Sequence, residues 1–419
     1  MAEKMPSVLV FGGLNTYSRA LASYLVPKDG APLVSHIRIV DKFSVHPPTT
    51  YLGAEFPEIL KKPEIEYKQA NLTNQSIIPS LFDPPEGHGP YDYVFDLTGE
   101  VRQDRTEMIQ ITTTCNVARL LGTEAAKRKV KAYVRLSLPY YKTADKGPFD
   151  EKQDPKPNGT CGTWWHETQR ILANIEDLNL VIVRAGLGYG PYINFGIIPT
   201  FITVAAVYGD MQKPMKSLWS PGKQPNHTVH SEDVAAGMFA CAQWIAPLGR
   251  AAANDKAGET IPFHNDKSKV AEVEGMPAAD KTVTAPLFNL VDDSQATLLE
   301  IGQISTSFFN TQFEFFNFIE NALFKVGSTF NIKDDIVEEI NEDHVGHWTQ
   351  MLLRSNPPRP NTPLSAYMDK YQLEKIVVGM SNDKIKSVVG YQLRKPKYNH
   401  DTIRECIDTW KAEGSWPAL

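Results

Sequence analysis

The stretch "VLVFGGLNTYSRAL" (8–21) joins an apolar, β-branched run to an amphipathic one through two adjacent glycines. A strand that turns at once into a helix aims main-chain N–H groups, and the positive end of the helix dipole, at one spot outside the turn. A pyrophosphate can sit there. The dinucleotide-binding pattern asks for three small residues at the spacing G-x-x-G-x-x-G. Gly12, Asn15 and Ser18 fill the three places, with Gly13 after the first and Tyr17 before the last. Asn tolerates left-handed backbone better than most residues, and Ser is small enough for close packing. The loop is degraded but usable; a tight strand-to-helix turn with no ligand is the other reading.

Three further residues stand where a dinucleotide needs them. Asp41 closes the next strand pattern, "HIRIVD". A carboxylate there accepts from both ribose hydroxyls and repels a 2′-phosphate, so NAD is the expected cofactor. "ANLTN" places Asn71 near the adenine edge, and "DLTGE" brings Leu97 and Gly99 to the end of the fourth strand, where glycine permits close backbone approach.

These residues need a scaffold. "SVLVFGG", "HIRIVDK", "YDYVFDLTG", "KAYVRLSLP" and "NLVIVRAG" read as five strands, separated by helical patterns such as "TEMIQITTTCNVARLLGTEAAKRK" and "WWHETQRILANIED". Alternation of this kind predicts an α/β fold, with a parallel sheet covered by helices on both faces. Near-continuous apolar strands fit burial on both sides. "VHSEDVAAGMFACAQWI" reads as a helix with an acidic first turn, and "APLFNLVDD" as a further strand. Residues 250–282 are polar and read as a surface excursion.

The ordered pieces resemble the extended short-chain dehydrogenase/reductases, the group of sugar-nucleotide epimerases and dehydratases. "NVARLLGTEAA" resembles the family's N-V-x-G-T helix. "VRLSLPYY" resembles the strand bearing its catalytic Ser or Thr, and "VRAGLGYGPY" its R-P-x-x-Y-G-P turn. "NHTVHSEDVAAGM" resembles its V-H-V-x-D-V-A element, and "NDKIKSVVGYQLRKP" its late L-G-[WY]-x-P segment. The resemblance implies a Rossmann-type doubly wound sheet over residues 1–191, to which 224–245 and 283–306 return. It also implies a smaller, mostly helical substrate domain from 192–223 and 307–419, and a small nucleotide-linked substrate.

The family's catalytic residues carry over only in part. The catalytic hydroxyl falls on Ser137 and the conserved Arg on Arg184, a cofactor-side residue. Aligning "TQRIL" puts Cys161 where the family has Tyr and Trp165 where it has Lys, in "CGTWWHETQRIL". An indole donates one hydrogen bond, accepts none and exchanges no proton near neutrality. It cannot replace a lysine in charge or in clamping the nicotinamide ribose. A Cys thiol, with a free pKa of about 8.5, can exchange a proton but is much shorter than Tyr. Trp164 and Trp165 therefore pack a core, wall the nicotinamide pocket, or mark a rearranged site using Cys161, His166 or Glu167. Loss of standard catalysis is expected, leaving a binding, sensing or structural role. The alternative is an active oxidoreductase or epimerase with a rebuilt acid/base set.

"SFFNTQFEFFNFIENALF" puts Phe309, Phe313 and Phe316 on one stripe if helical, a core helix or a surface for a second copy or another partner. Lys and Arg, 43 against 49 Asp and Glu, form no basic block, so nucleic acid is not an expected partner. The apolar run "INFGIIPTFITVAAVYG" is broken by Pro199 and reads as a buried helix rather than a membrane span. Four scattered cysteines without a C-x-x-C pair, and no signal-like start, make a reduced cytoplasmic setting without a metal site the expectation.

Overall fold

The computed structural model of the chain describes residues 5–317 and 334–419. Eight strands form the central sheet. They are β1 (Ser7–Phe11), β2 (His36–Asp41), β3 (Ile65–Gln69), β4 (Tyr93–Asp96), β5 (Ala132–Ser137), β6 (Leu180–Ala185), β7 (Gly258–Thr260) and β8 (Thr284–Leu290). Their spatial order is β7-β8-β6-β5-β4-β1-β2-β3. All pairings are parallel except β7 with β8. The order reverses at β1, which lies between β2 and β4, and a crevice opens there at the carboxyl ends of the strands.

Side-chain parity explains the layers. Val8 and Val10, with Ile37, Ile39, Val134 and Val183, point to the face covered by α1 (Ser18–Leu25) and α5 (Ser231–Ile245). Leu9 and Phe11, with Val40, Val94 and Ile182, point to the face covered by α2 (Val117–Lys127) and α3 (Gly159–Ala173). A π-helical stretch, Ile111–Asn116, leads into α2. A separate apolar cluster joins α4 (Ile197–Asp210), α6 (Leu298–Ser307), α7 (Asp334–Arg354) and α8 (His400–Ala412) around Phe201, Ile301, Trp348 and Trp410. The late "GYQLRKP" segment docks on α5: Asp233 Oδ1 accepts from Tyr391 Oη at 2.6 Å and from the Arg394 N–H at 2.7 Å. No helix among the described residues is long and apolar enough to cross a membrane.

Two expectations are corrected. The phenylalanine-rich stretch is not one helix. Asn310 takes a left-handed φ of 53° just after α6, and Phe313–Phe315 then pairs as a short parallel strand with Met215–Ser217. Phe309 stacks on Trp416 at 5.7 Å and Phe313 meets Phe201 at 5.7 Å, so these rings serve packing within the chain rather than an outward stripe. Phe318 and Phe324 lie outside the described residues. Residues 250–282, expected as an excursion, supply the edge strand β7 and bury Ala253, Ile261 and Val270.

Candidate functional site

The glycine loop fits the crevice because it has no side chain to place there. Gly12 and Gly13 have φ of 69° and 74°, and a Cβ on Gly13 would lie 2.7 Å from Leu97 Cβ. The loop closes on itself through Thr16 N–H and Ser18 N–H, both donating to Gly13 O. Asp41 braces it from β2: Oδ2 accepts from Leu14 N–H at 2.9 Å and Oδ1 from Lys42 N–H at 2.6 Å. Burial raises the Asp41 pKa, and these backbone donors oppose the rise. The Phe43 N–H is a third such donor, and three donors leave the carboxylate one lone pair for a ligand.

The resulting cleft has a volume of about 1080 Å³ and runs from Asp41 and Asn71 past the glycine loop to Leu97 and Gly99. Asn15 and Asn71 are exposed at its rim; Asn15 Oδ1 accepts from Thr50 and Asn71 Oδ1 from Thr73. Its far wall comes from late in the chain. Pro360–Leu364 lines it, and Tyr51 Oη donates to the Glu413 carbonyl at 2.6 Å. Arg19 and Asn194 also line the cleft, and no motif had pointed to them.

Tyr17 and Ser18 do not face this cleft. Ser18 is fully buried, and the Tyr17 ring borders a smaller chamber beyond the loop. That chamber, about 80 Å³, is lined by Tyr17, Val101, Leu138, Tyr140, Phe195 and Tyr371 among others. The Tyr140 ring lies 6.1 Å from that of Tyr371 and 5.6 Å from that of Trp165. Tyr371 opens a Y-x-x-x-K spacing far downstream of α3, yet it folds back against Tyr140. Its Lys375 turns away to Asp145 at 2.8 Å.

The residues expected to carry catalysis converge elsewhere. Ser137 points into the layer under α3, where its Oγ accepts from Gln169 Nε2 at 3.0 Å. The same amide donates to Tyr141 Oη at 2.5 Å, and Tyr141 Oη lies 3.3 Å from His166 Nδ1. His166 Nε2 reaches the Pro262 carbonyl at 2.6 Å, and burial pushes its pKa down to about 3, so the ring is neutral with Nε2–H donating. Arg184 gives one N–H to Gln169 Oε1 at 3.3 Å and lies over the Tyr141 ring. Glu167 accepts from the His264 N–H at 3.0 Å and pairs with Arg170 at 3.2 Å. All of these are buried, and none lines the cleft or the chamber. Leu138, one residue beyond Ser137, does line the chamber.

Cys161 and Trp165 face the end of β4. Trp165 Nε1 donates to the Glu100 carbonyl at 2.8 Å and the Cys161 thiol approaches the same oxygen at 3.6 Å. Burial, reinforced by Glu100, pushes the Cys161 thiol pKa up. Gly99, with φ of 136°, is needed here for the indole: a Cβ would lie 2.5 Å from Trp165 Cζ2. Among the described residues no group of His, Cys, Asp and Glu is placed to hold a metal ion.

No protein-family model matches the chain, and no curated protein matches it in sequence. Solved structures match its fold. The Bordetella bronchiseptica enzyme WbmG, crystallised with NAD, superposes with a TM-score of 0.60 at 12% identity, over 99% of this chain and 96% of that one. UDP-glucuronic acid 4-epimerase from Bacillus cereus, crystallised with UDP-glucuronic acid and NAD, gives 0.58 at 13%, over 97% and 99%. UDP-glucose 4-epimerase from Thermotoga maritima, crystallised with UDP-glucose, gives 0.51 at 14%, over 74% and 85%. The chain has the Rossmann-type fold of these structures, and the likeness to WbmG and to the Bacillus cereus epimerase runs through nearly its whole length.

Proposed function

We propose that the chain is a NAD-binding protein that keeps the fold of the extended short-chain dehydrogenase/reductases without their Tyr–Lys catalysis, in a binding, sensing or structural role. One observation carries the second half. Cys161 and Trp165, which the sequence alignment assigns to the family's Tyr and Lys positions on α3, are both turned onto the Glu100 carbonyl. The buried bonding of Ser137, His166 and Glu167 supports the same reading, because none of them is open to a substrate.

The cleft fits NAD. Loop 12–16 would hold the pyrophosphate, Asp41 the ribose hydroxyls, and Asn71 with Leu72 the adenine. Where bound, NAD supplies a hydride acceptor at its nicotinamide. The chain's own part is to orient the phosphates by main-chain N–H groups and to exclude a 2′-phosphate with Asp41. Calorimetry with NAD and NADP tests this. NAD should bind at least about tenfold more tightly, and equal or reversed affinities would discard Asp41 as the ribose ligand.

A second reading, turnover with a rebuilt acid/base set, is favoured by Tyr371 lining the chamber. It predicts oxidation of bound NADH on adding small carbonyl compounds, lost in Tyr371→Phe.

A further inference from the structure

A second cavity, of about 90 Å³, lies behind the chamber, between α4, the Met215–Ser217 ribbon and α7. It shares Leu187, Ile197 and Gln372 with the chamber walls. Ile198, Phe201, Val204, Leu218, Ile301 and Ile376 give it an apolar lining.

Two side-chain atoms in that lining have no hydrogen-bond partner: Asn226 Oδ1 and His344 Nδ1. Each residue is 4% exposed. Their other ends are tied, Asn226 Nδ2 donating to the Ile376 carbonyl at 3.3 Å and His344 Nε2 meeting Tyr208 Oη at 3.2 Å. Neither side chain can turn to satisfy the idle atom without giving up the bond it has. An unsatisfied buried polar atom is costly, and two on residues of one apolar cavity would gain from a ligand that pairs with them. Apolar walls with a few fixed polar groups are also the usual make-up of a small-molecule site.

The lining sets the chemistry of the partner. Burial pushes the His344 pKa down to about 4, so the ring is neutral and offers no charge to an anion. Among the described residues Lys216 is the one cationic side chain in the wall, its ammonium 5.7 Å from the centroid of the Phe316 ring, and Glu374 adds a carboxylate. A diphosphate needs more positive charge and more room than this. The cavity, about 90 Å³, is of the same order as the roughly 150 Å³ apolar cavity that admits benzene.

We propose that this cavity binds an uncharged, ring-sized apolar molecule carrying a hydroxyl, which donates to Asn226 Oδ1 and has His344 Nδ1 as its second polar contact. The inference rests on reading the chamber as the nicotinamide side of a NAD cleft, and it names the class of ligand that such a binding or sensing protein would take: a small cyclic alcohol rather than a nucleotide-linked sugar.

The test titrates the full chain with p-cresol, toluene and UDP-glucose by calorimetry, with NAD titrated separately on the same preparation. p-Cresol should bind, toluene should bind about tenfold more weakly, and UDP-glucose should not displace p-cresol. Asn226→Leu should erase the preference for p-cresol while keeping toluene binding. Because Asn226 also ties Ile376, Val204→Trp is the second variant; it fills the cavity from α4 and should abolish both ligands. NAD affinity should be unchanged in both. Absence of p-cresol binding to the wild-type chain, or its displacement by UDP-glucose, overturns the cavity assignment even if NAD binds. Binding of p-cresol without NAD supports the cavity and overturns the dinucleotide reading instead.

Discussion

The indole of Trp165 is held on three sides: Gly99 against its six-membered ring, the Glu100 carbonyl on its N–H, and the Arg135 guanidinium 4.8 Å over its face. It borders neither the cleft nor the chamber, so it packs a core. Trp165→Lys should therefore lose about 3–5 kcal/mol in denaturant unfolding, since the lysine leaves a cavity and sets an ammonium beside Arg135. A loss below about 1 kcal/mol would show that the ring borders a ligand pocket after all. Residue types at this site were legible in the sequence, but their directions were not. That Cys161 and Trp165 stand at the family's Tyr and Lys positions is what the resemblance implies, and the sequence could show no more than their types. Ser137 could not be oriented, because neighbouring strand residues face opposite sides, and it is Leu138 that reaches the chamber. His344 lies in no motif and Asn226 only opens the stretch "NHTVHSEDVAAGM"; it is the cavity that brings them together.

At the scale of elements, the apolar strand runs announced β1, β2, β4, β5, β6 and β8, because strands covered on both faces are written almost wholly in apolar residues. The edge strand β7 was silent: "GET" has no apolar residue, and its place is set from outside by Arg170. That guanidinium donates to the carbonyls of Ile261 at 2.7 Å, Ala278 at 3.0 Å and Lys281 at 3.2 Å, fastening the 250–282 segment over α3. Arg170→Met should cost about 3–5 kcal/mol, since it strands Glu167 as well as the carbonyls, and should open residues 262–282 to limited proteolysis. An unchanged cleavage pattern would show that β7 holds the segment without the clamp. The Phe313–Phe315 ribbon misled for a related reason. Phenylalanines spaced three and four apart satisfy a helical period, while "FEF" satisfies a period of two, and only the left-handed Asn310 decides between them.

Across the whole molecule, the loop after β5 is drawn in by Glu151, whose Oε1 accepts from the Asn289 N–H of β8 at 2.7 Å. Burial raises its pKa to about 7. The folded state thus holds this proton more tightly than the unfolded one, so the group's contribution to stability falls as pH rises from about 4.5 to about 7. Glu151→Gln keeps the acceptor and removes the charge. The variant should melt higher than the wild type at pH 8, by the equivalent of up to about 3 kcal/mol, and alike at pH 4. Equal melting at both pH values would mean that Glu151 is ionised at no cost in the fold.

The bond from Tyr51 to Glu413 spans 362 residues and closes the far wall of the cleft. A ribosome makes the glycine loop, Asp41 and Asn71 long before the residues around Glu413 that complete that wall. Until those residues have been made, the crevice of a nascent chain stands open on one side, so the dinucleotide site proposed above would be closed only by chain synthesised long after its glycine loop.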